Sequence, residues 1–194
     1  MADDISDPVV IERGSIVVEG AGQRAIGMGA EGSIGMYLSG RSNVTLVNIE
    51  ITRFNYRTRL YYSSNNRIFH NNFNDNIRQT YIDPDGYNAW DDGYPSGGNF
   101  WSDYAGVDTD GDDIGDTPYV IDQNNKDHHP LIKPYVVGGS NHDGKINYRD
   151  LFLLARAYRS APNEPNWNPC VDFNDNKIVD CFDLTILKEN YGRK

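Results

Sequence analysis

Part of the chain copies itself at an offset of 22 residues, and that periodicity limits the available folds more than any other feature. In "GMYLSGRSNVTLVNIEITRFN" and "RLYYSSNNRIFHNNFNDN", Asn43 falls on Asn65, Leu46 on Ile68, Val47 on Phe69 and Ile51 on Phe73. A unit of this size cannot bury its apolar face alone and must stack on its neighbours. The apolar positions alternate, so every second side chain points inward, as in a strand. The pattern predicts a mainly β chain built on a short right-handed parallel β-helix. Asn at the recurring corners tolerates a left-handed backbone and can ladder from rung to rung. About three rungs at ~4.8 Å each make only a stub. An antiparallel β-sandwich is the competing architecture for short alternating strands.

Residues 76–135 lack any helical period and are rich in turn signals. Trp90, Tyr94, Phe100, Trp101 and Tyr104 are too many aromatics for a plain loop. A solenoid has an exposed end that must be covered, so these residues are expected to form an aromatic C-terminal cap. The alternative is a row of rings stacking on sugars. The first domain is placed at 10–135.

Residues 136–194 change character again and form a second, small helical domain. Asp150 and Asp183 match at an offset of 33, and helical spacing follows each. Leu151, Leu154 and Tyr158 are expected on one helix face, and Leu184, Leu187 and Tyr191 on its copy. The Pro- and Asn-rich "SAPNEPNWNP" links the two units.

Only 38% of residues are apolar and the net charge is −10, so the core must be economical and nucleic acid is excluded as a partner. The carboxylates are bunched at 108–116 and 172–183, where they repel one another unless a cation lies between them. Calcium takes six to eight oxygens, drawn from positions 1, 3, 5, 7, 9 and 12 of a twelve-residue loop. The loop starting at Asp172 supplies Asp172, Asn174, Asn176, the Ile178 carbonyl, Asp180 and Asp183, with Val179 as an apolar anchor. Lys177 stands where Gly normally makes the sharp turn. The loop before it supplies Asn141, Asp143, the Lys145 carbonyl, Asn147 and Asp150, but opens on Gly139, which brings no carboxylate. A third run, Asp108, Asp110, Asp112, Ile114 and Asp116, has the same alternate spacing with Tyr119 at its twelfth place. Calcium is the expected cofactor.

No stretch approaches the length of a membrane span, so no membrane insertion is expected. The start "MADDISDPVV" shows no secretory leader, which also suits a mature secreted protein. Asn43-Val44-Thr45 is a glycosylation sequon. Cys170 and Cys181 bracket one acidic loop and are expected to form a short disulfide. The carboxylates Asp75, Asp83, Asp85, Asp91, Asp92 and Asp103 lie in turns or in the aromatic segment, and His70, His128, His129 and His142 have no metal-ligand spacing. With no nucleophile elbow or phosphate loop, a non-catalytic role is expected.

Residues 139–194 resemble a type I dockerin, with two loops closed by Asp and followed by "DLFLLARAY" and "DLTILKENYG". That resemblance implies paired EF-hand-like loops docking a cohesin-type partner, with Tyr148, Arg149, Arg156, Cys181 and Phe182 at or near the recognition surface. The Ser/Thr pair common there in cellulosomal dockerins is absent. Residues before 136 resemble the NosD-like β-helix family with carbohydrate-binding and sugar-hydrolase repeats, as in archaeal surface proteins. The motifs are "SSNNRIFHNNF" and "WDDGYPSGGNFWSDYAGVDTDGDDIGDTPYVID". Together they imply an extracellular, cell-surface adaptor whose β-helix is cargo or spacer. Polysaccharide binding or degradation, and self-association through the edge at "PVVIERGSIVVEG", are the alternatives.

Overall fold

A computed structural model describes residues 6–77, 80–82 and 86–193. Two parallel sheets make up a solenoid four strands deep. One stacks β1 (Val9–Ile11), β3 (Ile34–Ser39), β5 (Tyr56–Tyr61) and β8 (Tyr81–Ile82). The other stacks β2 (Val17–Ile26), β4 (Thr45–Thr52), β7 (Asn72–Asn74) and β9 (Phe100–Trp101), with β6 (Arg67–Ile68) also beside β4. The 22-residue step is read directly in the register, as in Ile34 opposite Tyr56, Thr45 opposite Arg67, and Arg59 opposite Tyr81. The parallel pairing overturns the β-sandwich alternative, and the four-strand depth exceeds the expected three rungs. The extra rung is β1 with β2, which is out of phase with the repeat because β2 carries a bulge between Glu19 and Gln23 and the connection from Ile26 to Ile34 is longer than its counterpart from Thr52 to Tyr56. Ala21 and Gly22 turn left-handed there, and the extra residues shift the sequence out of phase.

Leu38, Leu46, Ile51, Leu60, Ile68 and Phe73 fill the solenoid interior with no exposure. Corners recur where the backbone turns left-handed, at Asn43 and Asn65, Asn48 and His70, Arg53 and Asp75. Beside them runs a second set of asparagines, buried at Asn66, Asn71 and Asn99 and half-buried at Asn76 and Asn88. The side-chain oxygens of Asn66, Asn71 and Asn76 accept from the amides of Val44, Ile49 and Phe54 one rung back, at 3.0, 3.1 and 2.9 Å. Asn99 then accepts from Asn71, and Asn88 from Asn66. These amides satisfy main-chain groups that the corners would otherwise leave unpaired in the interior.

Past the last rung, the rings of Phe73, Trp101 and Tyr119 stack at 4.5 and 4.3 Å and continue the core outward. Trp90 and Trp101 are 0% and 1% exposed, so the cap is confirmed and these two rings cannot stack on sugars. Arg57, buried beneath, bonds Asp103 at 2.7 Å and the Tyr119 hydroxyl at 2.6 Å. Buried Asp127 accepts from Asn99 N, Trp101 Nε1 and His129 N. It sits against Gly98, where a Cβ would lie 1.9 Å from its Oδ1. The antiparallel pair β10 (Tyr119–Val120) and β11 (Lys126–Asp127) holds this segment together.

The C-terminal module contains α1 (Tyr148–Ala157), a 3-10 turn at Pro169–Val171 and α2 (Cys181–Asn190). Its core is Ile146, Leu154, Ala157, Val171, Val179 and Leu187. The expected helix faces are corrected: only Leu154 and Leu187 point inward. Leu151, Tyr158, Leu184 and Tyr191 are 40%, 38%, 38% and 53% exposed. The inward stripe instead runs through Asp150, Leu154 and Ala157, and through Asp183, Leu187 and Asn190, because the closing carboxylate of each loop is what the core encloses.

Candidate metal centre

The two acidic loops of the C-terminal module share one hydrogen-bond frame. In the second loop, Asp183 is fully buried and its two oxygens accept from Phe173 N and Asp180 N, both at 2.8 Å. In the first, Asp150 is fully buried and accepts from Ser140 N and Asn147 N, again both at 2.8 Å. Each closing Asp thus bridges positions 2 and 9 of its own loop and forms a capping box at its helix. Both loops turn left-handed at the same two places, His142 and Gly144 matching Asp175 and Lys177. Lys177 carries φ +67°, at a cost of ~1 kcal/mol for a residue with a Cβ.

The two units also exchange contacts. Val179 N donates to Ser160 O and Arg159 N to Val179 O, at 3.0 and 2.8 Å. Ile146 N donates to Arg193 O and Gly192 N to Ile146 O, at 3.1 and 3.0 Å. The eighth residue of each loop therefore pairs with the segment that leaves the other loop's helix, and neither unit closes without its copy.

The donors converge unequally. Asp172 accepts from Asn176 N and Lys177 N, and Asn176 from Ile178 N, which curls the start of the second loop into a ring of oxygens with Asn174. Burial pushes the Asp172 carboxyl up to about 6, with backbone amides opposing and the Asp183 charge adding. Burial likewise raises Asp183. Carboxylates held together against their own repulsion fit a hard cation. In the first loop Asp143 bonds Asn141 and the Lys145 amide, Asn147 caps α1, and Gly139 offers no side chain.

The run at 108–116 repeats the first half of the second loop. Asp108 accepts from Asp112 N and Asp113 N, and Asp112 from Ile114 N, as Asp172 and Asn176 do. Ligand oxygens of Asp108, Asp110 and Asp112 lie within 4.8 Å of one another. Partial desolvation and the charges of Asp112 and Asp116 raise Asp110. Asp116 instead bonds the Thr109 amide at 2.8 Å, and Tyr119 is committed to the cap.

Tyr148 and Phe182 are 68% and 65% exposed, and Arg149 and Arg156 are exposed beside them. The expected Cys170–Cys181 bridge is absent: both thiols are free. Cys170 turns toward the cap and donates to the Pro95 carbonyl at 3.2 Å, and burial pushes its thiol up to about 12. Asp91, Asp92 and Asp103 are engaged by His128 and His129, by Arg67 and by Arg57 respectively. Asp83 and Asp85 lie outside the described residues.

Sequence reasoning missed the seam between module and solenoid. His70 Nε2 and His142 Nε2 both donate to the Ser96 carbonyl, at 2.8 and 3.0 Å. Burial holds the His70 imidazole down at about 4 and lowers His142. Tyr135 stacks on His70 at 4.2 Å, and Asn72 bonds the Tyr135 main chain on both sides. Arg67 bridges Asp92 and Asp175, the latter at 3.1 Å. No local spacing signals these contacts, since their partners lie 25 to 108 residues apart.

No helix among the described residues is long and apolar enough to cross a membrane. No match was found among curated proteins or among solved structures. Residues 23–106, which hold most of the solenoid and the start of its cap, match the family described as "NosD: Periplasmic copper-binding protein (NosD)", and this part of the chain is NosD-like.

Proposed function

We propose that the chain is an extracellular, non-catalytic adaptor whose C-terminal module is a calcium-loaded dockerin, docking a cohesin-type partner and carrying the NosD-like solenoid as cargo or spacer. The observation that carries this reading is the frame shared by the two loops, with Asp150 and Asp183 buried in the same bonds. Asp172, Asn174, Asn176, Asp180, Asp183 and the Ile178 carbonyl would hold one calcium ion. Asn141, Asp143, Asn147, Asp150 and the Lys145 carbonyl would hold a second, more weakly. Asp108, Asp110, Asp112, Asp116 and the Ile114 carbonyl are candidates for a third. Calcium would neutralise the clustered carboxylates and so order the module.

Copper, named in the description of the matched family, does not fit the residues present. Among the described residues the convergent set is all carboxylate, a hard-oxygen site rather than an imidazole or thiolate one. His70 and His142 spend their Nε2 protons on Ser96.

The test is capture of a panel of recombinant cohesins, first in calcium and then in EDTA. Retention in calcium with release in EDTA is the expected result. Absence of capture in either buffer, with calcium binding shown by calorimetry, would reduce the loops to a stabilising role. A second reading, glycan binding by the solenoid, is supported by one surface column. Arg59 lies 6.0, 5.8 and 5.5 Å from the rings of Tyr37, Tyr61 and Tyr81, on the outer face of the sheet. Affinity electrophoresis in soluble polysaccharides, with Arg59→Ala as the control, separates the two readings.

A further inference from the structure

The duplicated helices point to a partner of defined charge, an inference that rests on the docking reading above: we infer that α1 engages an acidic protein surface, in one orientation only. The fold alone would not choose between the helices. Both open on the same capping box, both end on an exposed tyrosine, and both expose a leucine at the fourth position, Leu151 or Leu184. A partner seated on backbone shape alone could use either ridge.

Side chains break that equivalence. At the 33-residue offset, Arg149 corresponds to Phe182, Phe152 to Thr185, Arg156 to Glu189 and Arg159 to Gly192. The α1 side therefore carries three exposed arginines, whereas α2 carries the adjacent and mutually cancelling Lys188 and Glu189. None of the three arginines forms an ion pair among the described residues, in a chain of net charge −10. Two of them lie over rings of their own ridge: Arg156 is 5.8 Å from the Phe152 ring and Arg159 is 5.9 Å from Tyr158.

Tyr148 and Phe152, 68% and 59% exposed, line an open apolar hollow with Asn141, Arg149 and Leu153. Arg149 lines that hollow and Arg156 lies over its Phe152 ring; cations without an ion pair among the described residues, beside an apolar hollow, fit a partner that offers an apolar knob rimmed by Asp and Glu. Planar guanidiniums pair carboxylates through two parallel hydrogen bonds, which fixes orientation as well as attraction. Rim charges of this kind act chiefly on the rate of association.

The probe is a panel of recombinant cohesin modules, some with acidic and some with basic binding faces, titrated by surface plasmon resonance against the full chain in calcium. The acidic class is expected to bind. The R149E/R156E/R159E variant should slow association at least ~10-fold, and T185A/E189A should leave it unchanged. All these side chains are exposed and outside the calcium set, so thermal unfolding and calcium titration serve as folding controls. If the triple variant fails them, R156E alone is read. Preference for the basic class, equal damage from the α2 substitutions, or an association rate indifferent to arginine reversal overturns the inference and leaves docking intact. If no module of either class binds the calcium-loaded chain, the docking reading fails and this inference fails with it.

Discussion

Asn99→Ala should destabilise the solenoid by about 4 kcal/mol, although it removes no charge and little apolar surface. Asn99 is fully buried where the last rung meets the cap. Its oxygen accepts from Asn71 N at 3.1 Å and from Asn71 Nδ2 at 3.0 Å. Its nitrogen donates to Ile68 O at 2.8 Å and to Trp90 O at 2.7 Å. Alanine leaves three buried main-chain groups without these partners, each costing roughly 1–3 kcal/mol, and water entering the vacated space would recover part of that. Against a typical stability of about 5–15 kcal/mol, the loss is large. Asn74→Ala is the matched control, because among the described residues its amide reaches only Glu50, at 3.2 Å on a half-buried strand; it should cost under ~1 kcal/mol. Urea unfolding followed by tryptophan fluorescence suits both variants, since buried Trp90 and Trp101 report on the site itself. If Asn99→Ala costs no more than Asn74→Ala, the asparagine ladder is a passenger of the apolar core and the reasoning fails.

Asp183→Ala should lose more calcium affinity than Asp143→Ala, because the second loop is the more complete; equal losses in calorimetric titration would refute that ranking. Arg67→Ala should loosen the module from the solenoid, seen as faster proteolytic cleavage near residues 133–138, and unchanged cleavage would show that the Ser96 and Tyr135 contacts suffice. Asp127 should make stability fall as pH rises from about 4 to about 7. Burial pushes its carboxyl up to about 7, well above the unfolded value. The folded state therefore keeps a proton that the unfolded chain has released, and the slope is negative in that window. Thermal melts in EDTA-free buffer across that range check it, and a flat profile for Asp127→Asn alongside a falling wild type would assign the effect.

What the sequence revealed was whatever repeats locally. The 22-residue step survives from pattern to register because each rung must place the same side chains inward. The shared frame of the two acidic loops follows from the same kind of repetition, each loop being closed by its own buried aspartate. The first rung was not, because the bulge at Glu19 to Gln23 and the longer connection from Ile26 to Ile34 together break the phase that makes a repeat visible. The helix faces were misread because the periodicity of leucines ignores the buried aspartates, which take the inward position at the start of each helix. The cysteines failed on spacing: closeness in sequence favoured a bridge, yet Cys170 is drawn instead to the main chain of a cap loop 75 residues away.

The seam explains how a module with so small a core keeps its place on the solenoid while its acidic loops keep their own bonds. Six buried apolar residues are few for an independent unit, so contacts beyond them matter. The second loop faces the solenoid and still holds its oxygens turned into its own ring. Its charges are divided accordingly. Asp172, Asp180 and Asp183 stand at positions 1, 9 and 12 and turn into their own loop. Asp175, at position 4, turns outward, where Arg67 and Lys177 take it. A carboxylate that would only add repulsion to the loop is used instead as the anchor. The same economy appears at Ser96, whose single carbonyl accepts a proton from the solenoid through His70 and from the module through His142. The module is thus held at the seam by contacts to both sides, and α1 presents Phe152, Arg149 and Arg156 to solvent.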